Sequence, residues 1–77
     1  MRSEKFNQWV SQVGLLRASV LVSADLRENG HPGVSYQAIQ QWTTRGVPAT
    51  RAIAVERVTG IKRHELRPDI YPDDEAA

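Results

Sequence analysis

Residues 36–44 set Tyr36, Gln37, Gln40, Gln41 and Thr44 among Ala38, Ile39 and Trp42. The first group forms hydrogen bonds without carrying charge, so it is cheaper to strip of water than a cluster of lysines or carboxylates. A glutamine amide can form a bidentate pair with N6 and N7 of adenine in the DNA major groove. The second group, with Val34 ahead of it, recurs at helical spacing and would hold the helix against the rest of the molecule. A helix that reads base edges needs both faces at once. Ala38, being small, lets a neighbouring helix approach. By spacing alone, the three glutamines read first as a neutral solvated face, and Tyr36 as a half-buried aromatic.

The rest of the chain offers little competing chemistry. It has no cysteine, hence no disulfide, thiolate ligand or cysteine nucleophile. His31 and His64 are the only histidines and lack the paired spacing of a metal site. There is no glycine-rich phosphate loop and no strained nucleophile motif. About twenty Val, Leu, Ile, Phe and Trp side chains serve a chain of 77 residues. A domain of that size buries only roughly 60% of its unfolded surface, which leaves little to wall off a catalytic cavity. The expectation is no enzyme, no cofactor, no metal and no small-molecule substrate.

The elements that must position residues 36–44 follow from caps, breakers and periodicity. Ser3 is placed to cap a first helix in which Phe6, Trp9, Val10 and Val13 share a face, with Gly14 as its stop. Leu15 to Glu28 reads as a second helix, with Leu15, Ala18, Val22 and Leu26 in one stripe and Leu21 beside it. Asn29-Gly30 ends it, and His31-Pro32-Gly33 is a turn. Ser35 caps a third helix from Tyr36 to about Thr44, with Val34 as its hydrophobic staple. Gly46 breaks the chain, and Pro48 suits the first turn of a fourth helix that Thr59-Gly60 closes. A short fifth turn runs from about Lys62 to Leu66, with His64 exposed, and Arg67-Pro68 ends it. Arg67 is placed to pair with Asp69 or to cap carbonyls. The expected fold is all-α: a compact bundle of four to five short helices with a helix-turn-helix over residues 1–70, then a flexible acidic tail over residues 71–77.

Apolar residues make up 40% of the chain and charged residues 25%, which is globular composition. The apolar runs, such as Val20-Leu21-Val22, are too short to span a membrane. The charged start, Arg2-Ser3-Glu4-Lys5, leads into no apolar signal, so a cytoplasmic location is expected. Ten Lys and Arg stand against nine Asp and Glu, a net charge of +1. Four of those acids (Asp69, Asp73, Asp74 and Glu75) fall in residues 68–77, which hold no base. The body therefore carries ten bases against five acids, a net of +5, and suits an anionic partner.

Several segments together make the chain resemble the YdaS/Cro-like prophage regulators of the lambda-repressor-like helix-turn-helix superfamily. They are Gly33-Val34-Ser35, Ile39-Gln40-Gln41-Trp42, Gly46-Val47-Pro48-Ala49, Val55-Glu56-Arg57-Val58-Thr59-Gly60 and Glu65-Leu66-Arg67-Pro68-Asp69-Ile70-Tyr71-Pro72. The resemblance covers the second half of the chain closely and the first helix loosely. It implies a five-helix fold with the third helix in the major groove of an operator, and a regulator of phage promoters at the bacterial nucleoid. In some members it implies part of a toxin–antitoxin-like pair. Carried over residue by residue, it makes Tyr36, Gln37 and Gln41 the base readers. Ser35, Gln40 and Thr44, then Arg45 just past the helix, and Thr50 and Arg51 in the first turn of the fourth helix, become contacts to the DNA backbone. One departure stands out. The family joins its second and third helices by a turn of about three or four residues, whereas Arg27 to Pro32 add about six here. Either the second helix is longer or the turn is a loop, which could add Arg27 and His31 as phosphate contacts. A plain surface insertion is the simpler reading.

The resulting expectation is a sequence-specific, double-stranded DNA-binding regulator, a Cro-like repressor of prophage origin. The alternative is a toxin/antitoxin-type or antirepressor module that binds another protein with the same bundle. A second copy is expected to join weakly, or only on DNA, because Ile70 and Tyr71 alone are left over once the core is filled.

Overall fold

Ser3 and Ser35 cap the helices they precede. In the computed structural model, which describes residues 2–71, the Ser3 hydroxyl accepts the Phe6 amide at 3.3 Å and the Ser35 hydroxyl accepts the Ala38 amide at 3.3 Å. Each takes up a backbone N–H that a first helical turn leaves without a partner. The capped helices are α1 (Glu4–Val13) and α3 (Tyr36–Arg45). Between them α2 (Leu15–Glu28) starts directly after Gly14, whose φ of 89° ends α1 in a conformation that a side chain would strain. A 3-10 turn (Ala49–Arg51), α4 (Ala52–Thr59) and α5 (Arg63–Leu66) complete an all-α chain with no strand among the described residues. The expected tail, with Asp73-Asp74-Glu75, lies outside the described residues from residue 72 onward.

Every helix gives side chains to one core: Phe6 and Val10, then Ala18, Val22 and Leu26, then Ile39 and Trp42, then Ala54 and Val55, then Leu66. Val47, from the link after α3, is fully buried with them. The Phe6 ring lies 6.0 Å from that of Trp9 and 6.3 Å from that of Trp42, in tilted pairs that tie α1 to α3. Ion pairs bridge the helices outside the core: Lys5 to Glu65, Asp25 to Arg57, and Glu56 to Arg63. No helix among the described residues is long and apolar enough to cross a membrane.

Three expectations change. The fourth helix does not begin at Pro48. Pro48 stays extended (φ −61°, ψ 147°), and Arg51 (φ −114°, ψ −6°) interrupts the helical progression, so Thr50 and Arg51 stand on a separate 3-10 turn ahead of α4. His64 is half-buried, because α5 packs against α1 and α4. Ile70 and Tyr71 are not the only apolar side chains left at the surface. Leu16 is 69% exposed and Val20 60% exposed, with Leu21 also outside. The inward stripe of α2 uses one side of the helix, and Leu16 and Val20 fall on the other. Tyr71 is itself half-buried, with the Arg63 guanidinium 5.7 Å from its ring centroid.

Candidate nucleic-acid interface

α3 divides cleanly into two faces. Ile39 and Trp42 are buried, and Val34 and Ala38 pack against the same core. Tyr36, Gln37, Gln40, Gln41, Thr44 and Arg45 are all exposed. At about 100° per residue these six occupy one half of the helix. Arg45 is the last residue of the helix, which runs one residue past the end expected at about Thr44. Ser35 is exposed at the cap, where its hydroxyl already accepts an amide. α3 itself carries no carboxylate, and the stretch from Asn29 to Val55 contains no acidic residue. That acid-free stretch brackets α3 and is visible in the sequence once charges are read against position.

The two ends of α3 are held by polar side chains that periodicity does not single out. At the start, the Ser23 hydroxyl of α2 donates to the Val34 carbonyl at 3.0 Å and accepts the Val34 amide at 2.9 Å. At the finish, the Asn7 amide of α1 donates to the Thr43 carbonyl at 3.0 Å. The only sequence signal for Ser23 is a small polar residue beside Val22, which a core-facing stripe would not otherwise hold.

The longer connection resolves into both options: α2 runs to Glu28, and residues 29–35 form a loop. The loop is pinned. The His31 amide donates to the Leu26 carbonyl at 2.8 Å, and the Ser23 latch follows three residues later. Arg27 is therefore a helical residue of α2 and not a loop residue. Its guanidinium lies over Gly33, where a Cβ would come within 2.6 Å of Nη2. His31 is exposed and lines an open groove of about 290 Å³ together with Thr50, Leu26, Asn29, Ile53, Ala54 and Arg57. The structure thus brings Thr50, an expected backbone contact, and His31, named only as an added phosphate contact should the turn be a loop, to one groove at the junction of α2 and the 3-10 turn.

Arg67 positions that turn from behind. Its Nη1 donates to the Val47 carbonyl at 3.0 Å, and its Nε and Nη2 form a fork on Asp69 at 3.0 and 2.7 Å. The fork uses the planar match of guanidinium and carboxylate. Both sequence options for Arg67, the pair and the carbonyl cap, are realised together. Hydrogen bonding from Arg67 holds the Asp69 carboxyl down to about 2. Because the folded value is depressed, the contribution of this clip is present above the unfolded value near ~3.9 and is lost as pH falls through the folded one. NMR titration of Asp69 is expected to give a midpoint near 2, and Arg67→Ala to return it toward ~3.9. A wild-type midpoint already at the ordinary value would remove the clip from the account.

The positive charge near α3 is not all tied up in structural pairs. Arg57 and Arg63 pair with Asp25 and Glu56, whereas among the described residues neither Arg27 nor Arg51 forms an ion pair. Arg51 is half-buried and Thr50 exposed, so the turn offers a hydroxyl and a guanidinium at the flank of α3. No group of three His, Cys, Asp or Glu side chains among the described residues could hold a metal ion.

Neither curated proteins nor solved structures match the chain. A protein family does: the one described as bacterial toxin YdaS, over residues 31–75. The match takes in α3, the link after it, the 3-10 turn, α4 and α5. Covering more than half of the sequence, including the whole outward face of α3, Thr50 and Arg51, it establishes that the chain belongs to the bacterial toxin YdaS family.

Proposed function

We propose that the protein is a sequence-specific, double-stranded DNA-binding regulator that inserts α3 into the major groove of an operator. The observation that carries this reading is the outward half of α3: uncharged hydrogen-bonding side chains throughout, an arginine at its end, and no acidic residue in the sequence from Asn29 to Val55. A helix about 10–12 Å across fits a groove about 12 Å wide. Tyr36, Gln37 and Gln41 read base edges, and Ser35, Gln40, Thr44, Arg45, Thr50 and Arg51 fix the register on sugars and phosphates. Arg27 and His31 supply further phosphate contacts from α2 and its loop. α2 and α3 act as a helix-turn-helix whose long connection is kept in place by Ser23. Occupying the operator in the cytoplasm blocks or redirects transcription without any catalytic step, as in a Cro-like repressor of prophage origin.

A mobility-shift titration against the duplex upstream of its own gene and against a scrambled copy tests the reading. Preferential binding to the native duplex is expected, and equal binding to both refutes sequence-specific recognition. In the same assay Arg51→Ala should weaken binding to both duplexes and lower the slope of log affinity against log salt by about one. A changed base preference at an unchanged slope would contradict the phosphate role. The family's description as a toxin favours a second reading, in which the bundle binds another protein as a toxin, antitoxin or antirepressor. That reading predicts that charge reversals within residues 36–44 are tolerated while another surface is not.

A further inference from the structure

We propose that the outward face of α2 pairs with α2 of a second copy of this chain, antiparallel and about a two-fold axis. This goes beyond the DNA-binding reading and does not depend on it. Leu16 and Val20 are the most exposed large apolar side chains in the described structure, at 69% and 60%. They continue into Ala24 and Glu28 at four-residue steps, with Arg17 and Leu21 in the adjacent row, and all six are exposed. Rows at this spacing are the ridges that pack helix on helix.

The charges identify the occupant. Arg17 lies in the first turn of α2 and Glu28 is its last residue. Both signs are wrong for the helix's own dipole, which favours acids at the start and bases at the end. Local helix energetics therefore do not explain them, and a broken local rule marks a residue serving something else. Glu28 stands within electrostatic reach of Arg57 of its own chain without forming an ion pair, and among the described residues Arg17 forms none. Turning α2 end over end about the point between Val22 and Ser23 brings Arg17 opposite Glu28 of the second copy. It also brings Leu21 opposite Ala24 of the second copy. The same turn sets Val20 level with Asp25 and Leu16 level with Asn29, so the self-match that a two-fold interface requires is made by Arg17 with Glu28 and Leu21 with Ala24. The small Ala24 at the middle of the stripe lets the two helices approach closely.

The seam is one 14-residue helix long, about 21 Å. A single helix-on-helix seam of this length is a small contact beside stable interfaces, which bury roughly 1,200 Å² or more, so pairing is weak in solution. It strengthens when two copies are held on one duplex, where effective concentration is high.

Sedimentation equilibrium without DNA tests the pairing. The wild-type chain should shift reversibly toward the mass of two chains as concentration rises. Arg17→Glu alone and Glu28→Arg alone each put like charges together twice across the axis, and should weaken association about tenfold. The double variant, R17E with E28R, should return to within about twofold of wild type. Each single reversal suits the helix dipole better than the native residue does, so lost association cannot be put down to a lost helix. Circular dichroism on the same samples checks this. A wild-type chain that stays at the mass of one chain at every concentration overturns the proposal. So does a double variant as weak as either single one.

Discussion

Trp42→Ala is expected to lower the stability of the fold by about 3–5 kcal/mol, the usual cost of truncating a buried aromatic to alanine. Trp42 is 7% exposed and belongs to the core cluster that every helix enters. Its ring stands 6.3 Å from that of Phe6, so truncation empties the space between α1 and α3 and removes an aromatic pair. A domain of this length has roughly 4–12 kcal/mol of total stability. The substitution therefore removes a large share of it, and the variant should be substantially unfolded under conditions where the wild type is not. Urea denaturation followed by circular dichroism reads the effect as a lower midpoint at an unchanged slope. Trp42→Phe, which keeps an aromatic in the site, should recover most of the loss. A loss below about 1 kcal/mol for the alanine variant would mean that Trp42 does not anchor α3, which the proposed reading of DNA requires.

How far the sequence carries depends on the range of the interaction. Ser3, Gly14, Ser35 and Gly60 act within a turn of their own position, and the helix ends they predict are the helix ends observed. The inward faces of α1 and α3 follow from periodicity, because each carries a single apolar stripe. α2 carries apolar residues on two sides, so periodicity identified the stripe of Ala18, Val22 and Leu26 and gave no reason to count Leu16 and Val20 as a second one. The break at Arg51 and the pinning of the loop by Ser23 are tertiary events: the first is a departure in backbone angles, the second a bond to Val34 across a loop. Nothing local encodes the Lys5–Glu65 or Asp25–Arg57 pairs either, since each joins separate helices. At the candidate interface the outward residues of α3 were legible because caps and core residues fix the rotation of that helix. The extent of α2, Leu15 to Glu28 with Arg27 inside it, was legible from its helix formers and the Asn29-Gly30 stop, whereas the placing of the Arg27 guanidinium over Gly33 joins two segments and has no local signal.

Gln37→Ala should separate recognition from folding, which Trp42→Ala cannot do. The Gln37 side chain is exposed, and among the described residues it makes no hydrogen bond within the protein. Alanine is the better helix former, so stability should hold or rise slightly. If Gln37 pairs with a base edge, its removal costs about 1–3 kcal/mol of binding, roughly 5–150-fold in affinity, and relaxes the preference at one base pair. Sequences selected from a random duplex pool by the wild type and by the variant should then differ at that pair and agree elsewhere. Arg51→Ala gives the opposite pattern, weaker binding with the same selected sequences, because a phosphate carries no sequence information. Unchanged affinity and unchanged selected sequences for the Gln37 variant would remove it from the base-reading set. If charge reversals on α3 were also silent, that result would move the functional surface off α3 and favour the protein-binding reading. The melting temperature of the variant decides whether either comparison is valid: at an unchanged value, any loss of binding belongs to the exposed amide and not to the fold beneath it.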